Sequence, residues 1–136
     1  MSNVISSHPL PLAGKTALVT GGSRSIGAAI AKRLAADGAQ VAFTYNGSPK
    51  LAEEVAVEIE SAGGRALAIQ ANAADPEAVR AAVAKTVEAF GALDILVNNA
   101  GGGDDHLITD VEFEQWQAAW QETMDANLTG PANMSY

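Results

Sequence analysis

"KTALVTGGSRSIG", Lys15 to Gly27, is the stretch that decides the fold. Its first half is an apolar run of strand length. Its second half is a glycine-bearing turn that leads into residues with helical spacing. A strand that turns sharply into a helix needs backbone angles and close approaches that side chains obstruct. Gly21 and Gly22 offer those angles, and Gly27 lets the helix lie close to the sheet. The free N–H groups at the start of such a helix face outward over the turn, where they suit an anionic diphosphate. A glycine turn can also be purely structural. The strand–turn–helix context inside a βαβ unit is what favours a dinucleotide site.

Working outward, three more strand-length apolar runs follow the first, "KTALVT" (15–20): "QVAFTY" (40–45), "RALAIQ" (65–70) and "DILVNN" (94–99). Near-continuous apolar runs fit strands covered on both faces, as in a parallel sheet. Helical spacing lies between them, in Ile26, Ile30 and Leu34, in Leu51, Val55 and Ile59, and in Val79, Val83, Val87 and Phe90. Gly38 and the Gly63-Gly64 pair stop the first two helices. Asp75-Pro76 starts the third with an acid at the N-cap and proline at the first helical position. The glycine-rich loop "GGGDDHLIT" (101–109) precedes a last helical stretch from about Val111. The alternation predicts an α/β fold of Rossmann type: an incomplete, doubly wound parallel sheet of about four strands, within one domain over residues 1–136.

Bulk properties narrow the function. The 136 residues, 48% of them apolar, suffice for one small domain with a core. The absence of cysteine excludes disulfides and thiolate chemistry and fits a reducing compartment. "MSNVISSHPLPLAG" lacks the charged and apolar regions of a signal peptide, and no apolar run approaches ~18 residues. A cytoplasmic location with no membrane partner is the expectation. The net charge is −8, and every Lys and Arg lies at or before Lys85. Such an acidic chain does not suit nucleic acid. His8 and His106 have no metal-type neighbours in sequence, so both read as ordinary loop residues and no metal site is expected.

The end of the second strand normally distinguishes the two nicotinamide dinucleotides, because an acid there binds the ribose 2′-hydroxyl of NAD. Here the chain reads Tyr45, Asn46, Gly47, Ser48, with no acid, while Arg24 stands in the glycine turn. A guanidinium suits a 2′-phosphate. Both features lean toward NADP over NAD, with Gly21, Ser23, Arg24, Ser25, Ile26, Gly27, Tyr45, Asn46 and Ser48 as candidate contacts.

In the last helix, Phe113, Trp116, Trp120 and Met124 share one face, and Asn127 falls between the two tryptophans. The expectation is an amide turned inward, which must find partners or cost ~1–3 kcal/mol. Pro131 lacks the N–H that would pair with the carbonyl of Asn127, so a freed carbonyl and a local kink are expected.

"LAGKTALVTGG" (12–22), "NNAG" (98–101) and "NLTG" (127–130) occur in register on these elements. Together they make residues 12–136 resemble the short-chain dehydrogenase/reductase family, with 3-oxoacyl-carrier-protein reductase-like and glucose dehydrogenase-like members the most similar. The resemblance implies hydride transfer between a nicotinamide and an alcohol/ketone pair. It places Gly21 and Gly27 in the phosphate turn, Ile26 beside the cofactor, and Asn99, Ala100 and Gly101 along its adenosine side. Asn72 takes the place of an Asp that commonly lies beside the adenine amino group. Ser25 replaces the middle glycine of the turn. Asn127 is the implied catalytic residue. Its main-chain carbonyl would hold a water in a proton relay to a catalytic lysine and tyrosine, while a serine orients the substrate.

That serine and the Tyr-x-x-x-Lys pair belong to later segments of the family. No lysine follows Lys85, and Ser135-Tyr136 lies too close to Asn127 on the same helix to serve. The expectation is therefore the cofactor-binding half of a reductase, truncated before its catalytic segments and without turnover alone. The fourth strand would expose an edge and the last helix an apolar face, making a homo-oligomer possible. The alternative is a non-catalytic nucleotide-binding or dimerisation module.

Overall fold

The computed structural model describes residues 9–103, 107 and 109–136, so His8 and His106 lie outside the described residues. Four strands, β1 (Thr16–Val19), β2 (Gln40–Tyr45), β3 (Arg65–Gln70) and β4 (Ile95–Val97), alternate with α1 (Ser25–Ala36), α2 (Pro49–Ser61) and α3 (Pro76–Phe90). Helix α4 (Phe113–Met124) follows, then a π turn (Asp125–Thr129) and α5 (Gly130–Ser135). All strand pairs are parallel, in the order β3-β2-β1-β4. Val19 aligns with Phe43 on one side and Val97 on the other. This is the Rossmann-type sheet expected from the sequence.

Strand residues alternate between two cores, as the two-residue period requires. Ala17, Val19, Val41 and Phe43 face Ala28 and Ala31 of α1 and Ala52, Val55 and Ile59 of α2. Leu18, Ala42 and Ile69 face Val79 and Ala82 of α3 and Met134 of α5. Coverage on both faces holds fully only for the central strands. Every residue of β1 is buried, whereas β4 is half-buried throughout and β3 is exposed at both ends. Strands β3 and β4 are the edges of this sheet, and their apolar sequences alone do not reveal that position.

The helices also bury faces turned slightly from those the large apolar residues suggest. Helix α1 buries Gly27, Ala28 and Ala31, while Ile26 is 71% exposed. Helix α3 buries Val79, Ala82 and Thr86, with Val87 exposed. Close helix-on-sheet packing puts small side chains on the contact line and large ones beside it. Buried Thr86 satisfies its hydroxyl by donating to the Ala82 carbonyl at 2.8 Å. The expected helix signals hold at Gly38 and Gly63, which take positive φ after α1 and α2, and at Asp75, whose carboxylate accepts from the Glu77 N–H. Helix α4 starts with a capping box not foreseen: the Glu112 N–H donates to Gln115 Oε1 at 3.0 Å, and the Glu112 carboxylate accepts from the Gln115 N–H.

The inward reading of α4 is corrected. Phe113 is 63% exposed, Trp120 48% and Met124 42%, and Asn127 is exposed with them. The rings pack on one another instead, Phe113 stacked on Trp116 and Trp116 edge-on to Trp120, both with centroids 6.0 Å apart. Helical spacing put these residues on one face correctly, but spacing cannot say whether another element covers that face. Ahead of Pro131 the helix widens into the π turn, where the Gly130 N–H reaches back to the Asp125 carbonyl. The expected disturbance is therefore an added residue in the turn.

Candidate functional site

The carboxyl ends of the four strands open into one cleft of about 720 Å³. It lies where the strand order reverses, with β1 between β2 and β4, the position at which open α/β sheets bind ligands. Gly21–Gly27 after β1, Tyr45–Ser48 after β2, Ala71–Ala74 after β3 and Asn99–Gly103 after β4 contribute its walls. All the candidates nominated for the cofactor line it: Gly21, Ser23, Arg24, Ser25, Ile26, Gly27, Tyr45, Asn46, Ser48, Asn72, Asn99, Ala100 and Gly101. Asn127 does not, although its neighbour Ala126 does.

The glycine turn is fastened on both sides. Toward β2, the Gly21 N–H donates to Thr44 Oγ1 at 3.1 Å and the Gly22 N–H to the Thr44 carbonyl at 2.9 Å. Toward β4, the Asn99 side chain donates to the Thr20 carbonyl at 3.1 Å and the Gly21 carbonyl at 3.0 Å. The buried Thr20 hydroxyl accepts the backbone N–H groups of Asn99 at 3.0 Å and Ala100 at 2.9 Å. Thr20 and Thr44 were not nominated from the sequence. Their signal is present in hindsight: a hydroxyl at or near the end of each central strand, where turn N–H groups need acceptors.

The glycines do different work from that expected of Gly22. Gly21 has a φ of +67°, but Gly22 needs no unusual angle. A Cβ at Gly22 would lie 2.5 Å from the Phe43 Cβ, so what matters there is close approach to β2. A Cβ at Gly27 would run into the Gly21 carbonyl and the Asn99 amide. Ser25, in the place of the middle glycine, takes a φ of +49° that L-residues adopt at a cost.

The polar character of the cleft is set by backbone more than by charge. Arg24 is the one cation and Glu122 the one acid among the described residues that line it. The Arg24 side chain is exposed and has no partner among the described residues. Helices α1 and α2 both begin at the cleft, after Arg24 and Ser48, and neither has a side-chain cap. Their first N–H groups are therefore available to a ligand. Asn72 spends one lone pair of its side-chain oxygen on the Ala74 N–H at 2.9 Å, leaving its amide NH₂ and the second lone pair.

Asn127 acts on the cleft from behind. Its Nδ2 donates to the Gly102 carbonyl at 2.6 Å and the Thr123 carbonyl at 2.8 Å, and its Oδ1 accepts from the Gly102 N–H at 3.3 Å. The amide thus ties the π turn to the loop after β4 as a short strand would. Ser135 lies away from the cleft. Its hydroxyl accepts from Asn98 Nδ2 and donates to the Pro131 carbonyl.

An open cleft, a turn with glycine at its closest approaches and uncapped helix starts fit an elongated dinucleotide with a diphosphate at its centre. Comparison with known proteins points the same way. Residues 15–136 match the sequence profile of the family described as short chain dehydrogenase. The 3-oxoacyl-[acyl-carrier-protein] reductase FabG of Staphylococcus aureus is 45% identical over 119 residues, which is 88% of this chain and 47% of that protein. The short-chain dehydrogenase/reductase FrzI of Cladobotryum sp is 46% identical over 124 residues, 91% of this chain and 46% of the relative. Among solved structures, a short chain dehydrogenase from Burkholderia cenocepacia J2315 in complex with NADP is 53% identical, with a TM-score of 0.83 over 91% of this chain and 49% of that one. A blue fluorescent protein from a metagenomic library in complex with NADPH is 46% identical, with a TM-score of 0.82 over 90% and 49%. The chain spans about half the length of the curated relatives it matches.

Proposed function

The chain belongs to the short-chain dehydrogenase family, and on that premise we propose that its residues form the cofactor-binding half of an NADP-preferring oxidoreductase. The observation that carries this reading is the cleft at the carboxyl edge of the sheet, with the nominated cofactor residues gathered around it. When bound, the nicotinamide supplies the hydride exchanged with an alcohol/ketone pair. The chain's own residues bind and orient. The α1 N–H groups and the Gly21–Gly27 cradle hold the diphosphate, and Asn99 keeps that cradle in shape. Arg24, with no acid at the end of β2, favours a ribose 2′-phosphate. Asn72, Ala100 and Gly101 flank the adenosine side. Asn127 holds the loop after β4 through its side chain, and its main-chain carbonyl serves the proton relay of the whole enzyme.

Proton transfer to a carbonyl substrate needs a positioned acid, and the 136 residues contain no Tyr-x-x-x-Lys. We propose that they do not turn over alone. Titration with NADPH and NADH tests the reading. NADPH is expected to bind more tightly, and Arg24→Ala to reduce that preference at least about tenfold, the value of one charge-assisted phosphate contact. Unchanged preference in Arg24→Ala removes the NADP assignment, and binding of neither nucleotide removes the cofactor site. Ketone-dependent NADPH oxidation by these residues, abolished by Asn127→Ala, overturns the absence of turnover.

The exposed face of α4 favours a second reading, a nucleotide-binding or dimerisation module without chemistry. It requires concentration-dependent association that Phe113→Glu abolishes. Sedimentation as a monomer at all concentrations excludes its dimerisation form.

A further inference from the structure

The turn that closes β2 holds a chemically labile pair at the point where cofactor choice is made. Asn46 is followed by Gly47, and no other asparagine in the chain precedes a glycine. Both residues are exposed and line the cleft. The Gly47 N–H makes no hydrogen bond among the described residues, and a Cβ built on Gly47 meets nothing within 4 Å. The Asn46 side chain is likewise unbonded among the described residues, its backbone carbonyl alone accepting from Gln70 Nε2 at 3.4 Å. The other asparagines that line or brace the site are restrained: Asn72, Asn98, Asn99 and Asn127 all have side chains in hydrogen bonds.

We propose that Asn46 is a site of spontaneous deamidation that converts this cleft from NADP toward NAD preference. The proposal rests on the cofactor reading above. The deprotonated Gly47 backbone nitrogen attacks Asn46 Cγ. An N–Cγ bond forms and closes a five-membered imide while the Cγ–Nδ2 bond breaks, and nitrogen leaves as ammonia with the proton Gly47 gave up. Water then opens the imide at either carbonyl, leaving aspartate or isoaspartate at position 46. No electrons are exchanged. A glycine on the C-terminal side is what this attack needs, because its nitrogen is unshielded and its backbone is free to turn.

The product matters because of its place. Position 46 follows the last residue of β2, where an acid binds a ribose 2′-hydroxyl and repels a 2′-phosphate. The new carboxylate lines the same cleft as Arg24, the one cation there among the described residues. It therefore adds repulsion and competes for the guanidinium at once.

The test follows one preparation through incubation at mildly alkaline pH. Mass spectrometry of the tryptic peptide Leu34–Lys50, in which Asn46 is the only asparagine, reads the amide-to-acid conversion. Titrations with NADPH and NADH read the consequence. The ratio of NADPH to NADH affinity is expected to fall at least about tenfold in the converted protein. Asn46→Asp should show the lowered ratio from the start. Gly47→Ala, whose added methyl group the structure accommodates, should keep whatever ratio it begins with. A peptide that stays unconverted while the fresh protein prefers NADPH overturns the switch alone, as does an Asn46→Asp variant that keeps the preference. Fresh protein that binds neither nucleotide overturns the cofactor reading and the switch with it.

Discussion

Removing the Asn99 amide tests whether the cleft is built as described. In Asn99→Ala the Thr20 and Gly21 carbonyls lose donors that stood at 3.1 and 3.0 Å. Each net hydrogen bond contributes about 0.5–1.5 kcal/mol, so the variant should lose about 1–3 kcal/mol. The backbone N–H groups of residues 99 and 100 still reach the Thr20 hydroxyl, so the fold persists. Urea denaturation should show a lowered midpoint at unchanged slope. For a domain of this size the thermal midpoint should fall by roughly 5–10 °C for a loss near 2 kcal/mol. Asn99→Asp sharpens the test. It keeps the shape but faces two carbonyl oxygens with a carboxylate, so at neutral pH it should be less stable than Asn99→Ala. That arrangement favours the protonated acid and raises its folded-state pKa. The deficit of Asn99→Asp should therefore shrink as pH falls toward ~4 and grow as pH rises, because a raised acid pKa contributes stability only while the proton stays bound. A loss below about 0.5 kcal/mol in Asn99→Ala, or an Asp variant as stable as wild type at pH 7, would refute the clamp.

Other substitutions separate space, strain and local fastening. Gly27→Ala pushes a methyl group into the Gly21 carbonyl and the Asn99 amide, so denaturation should register a loss of about 1–3 kcal/mol together with weaker NADPH binding in a titration. Ser25→Gly removes a left-handed strain of about 1–2 kcal/mol and adds an entropic cost of about 0.5–1 kcal/mol, so calorimetry should find the variant slightly stabilised. Asn127→Ala releases Gly102 but gains helix propensity, so global stability should move by less than about 1 kcal/mol. The readout there is local: faster amide exchange at Gly102, whose N–H the Asn127 oxygen accepts.

The fold was legible because its signals were redundant. Strands β2 and β3 fall at the residues expected, and the glycine turn appears between β1 and α1. Coverage was harder to read. The apolar residues of β3 and β4 look like those of β1, yet they stand at the edges. Hydrophobicity reports what a strand tolerates, whereas neighbours decide what it buries. The same limit explains α4, where Phe113 and Trp120 share a face that stays about half exposed or more.

The site shows the complementary case. Glycines and asparagines near the strand ends could be nominated because their residue types are costly anywhere else. Gly27 and Asn99 illustrate why the nomination was incomplete. Each is unusual in sequence, but their relation appears only in three dimensions, where the amide fills the space that a Cβ at Gly27 would take. Thr20 and Thr44 escaped because threonine is ordinary in strands. Their hydroxyls nevertheless carry the hydrogen bonds that join the turn to its neighbours. Asn127 was found for its position and misread for its direction. Its partner outside its own helix is the main chain of Gly102 in the loop after β4, 25 residues back along the chain. Residues that touch a ligand tend to be rare types, and rarity can be seen in one sequence. Residues that hold those in place can be of any type, so geometry has to supply them.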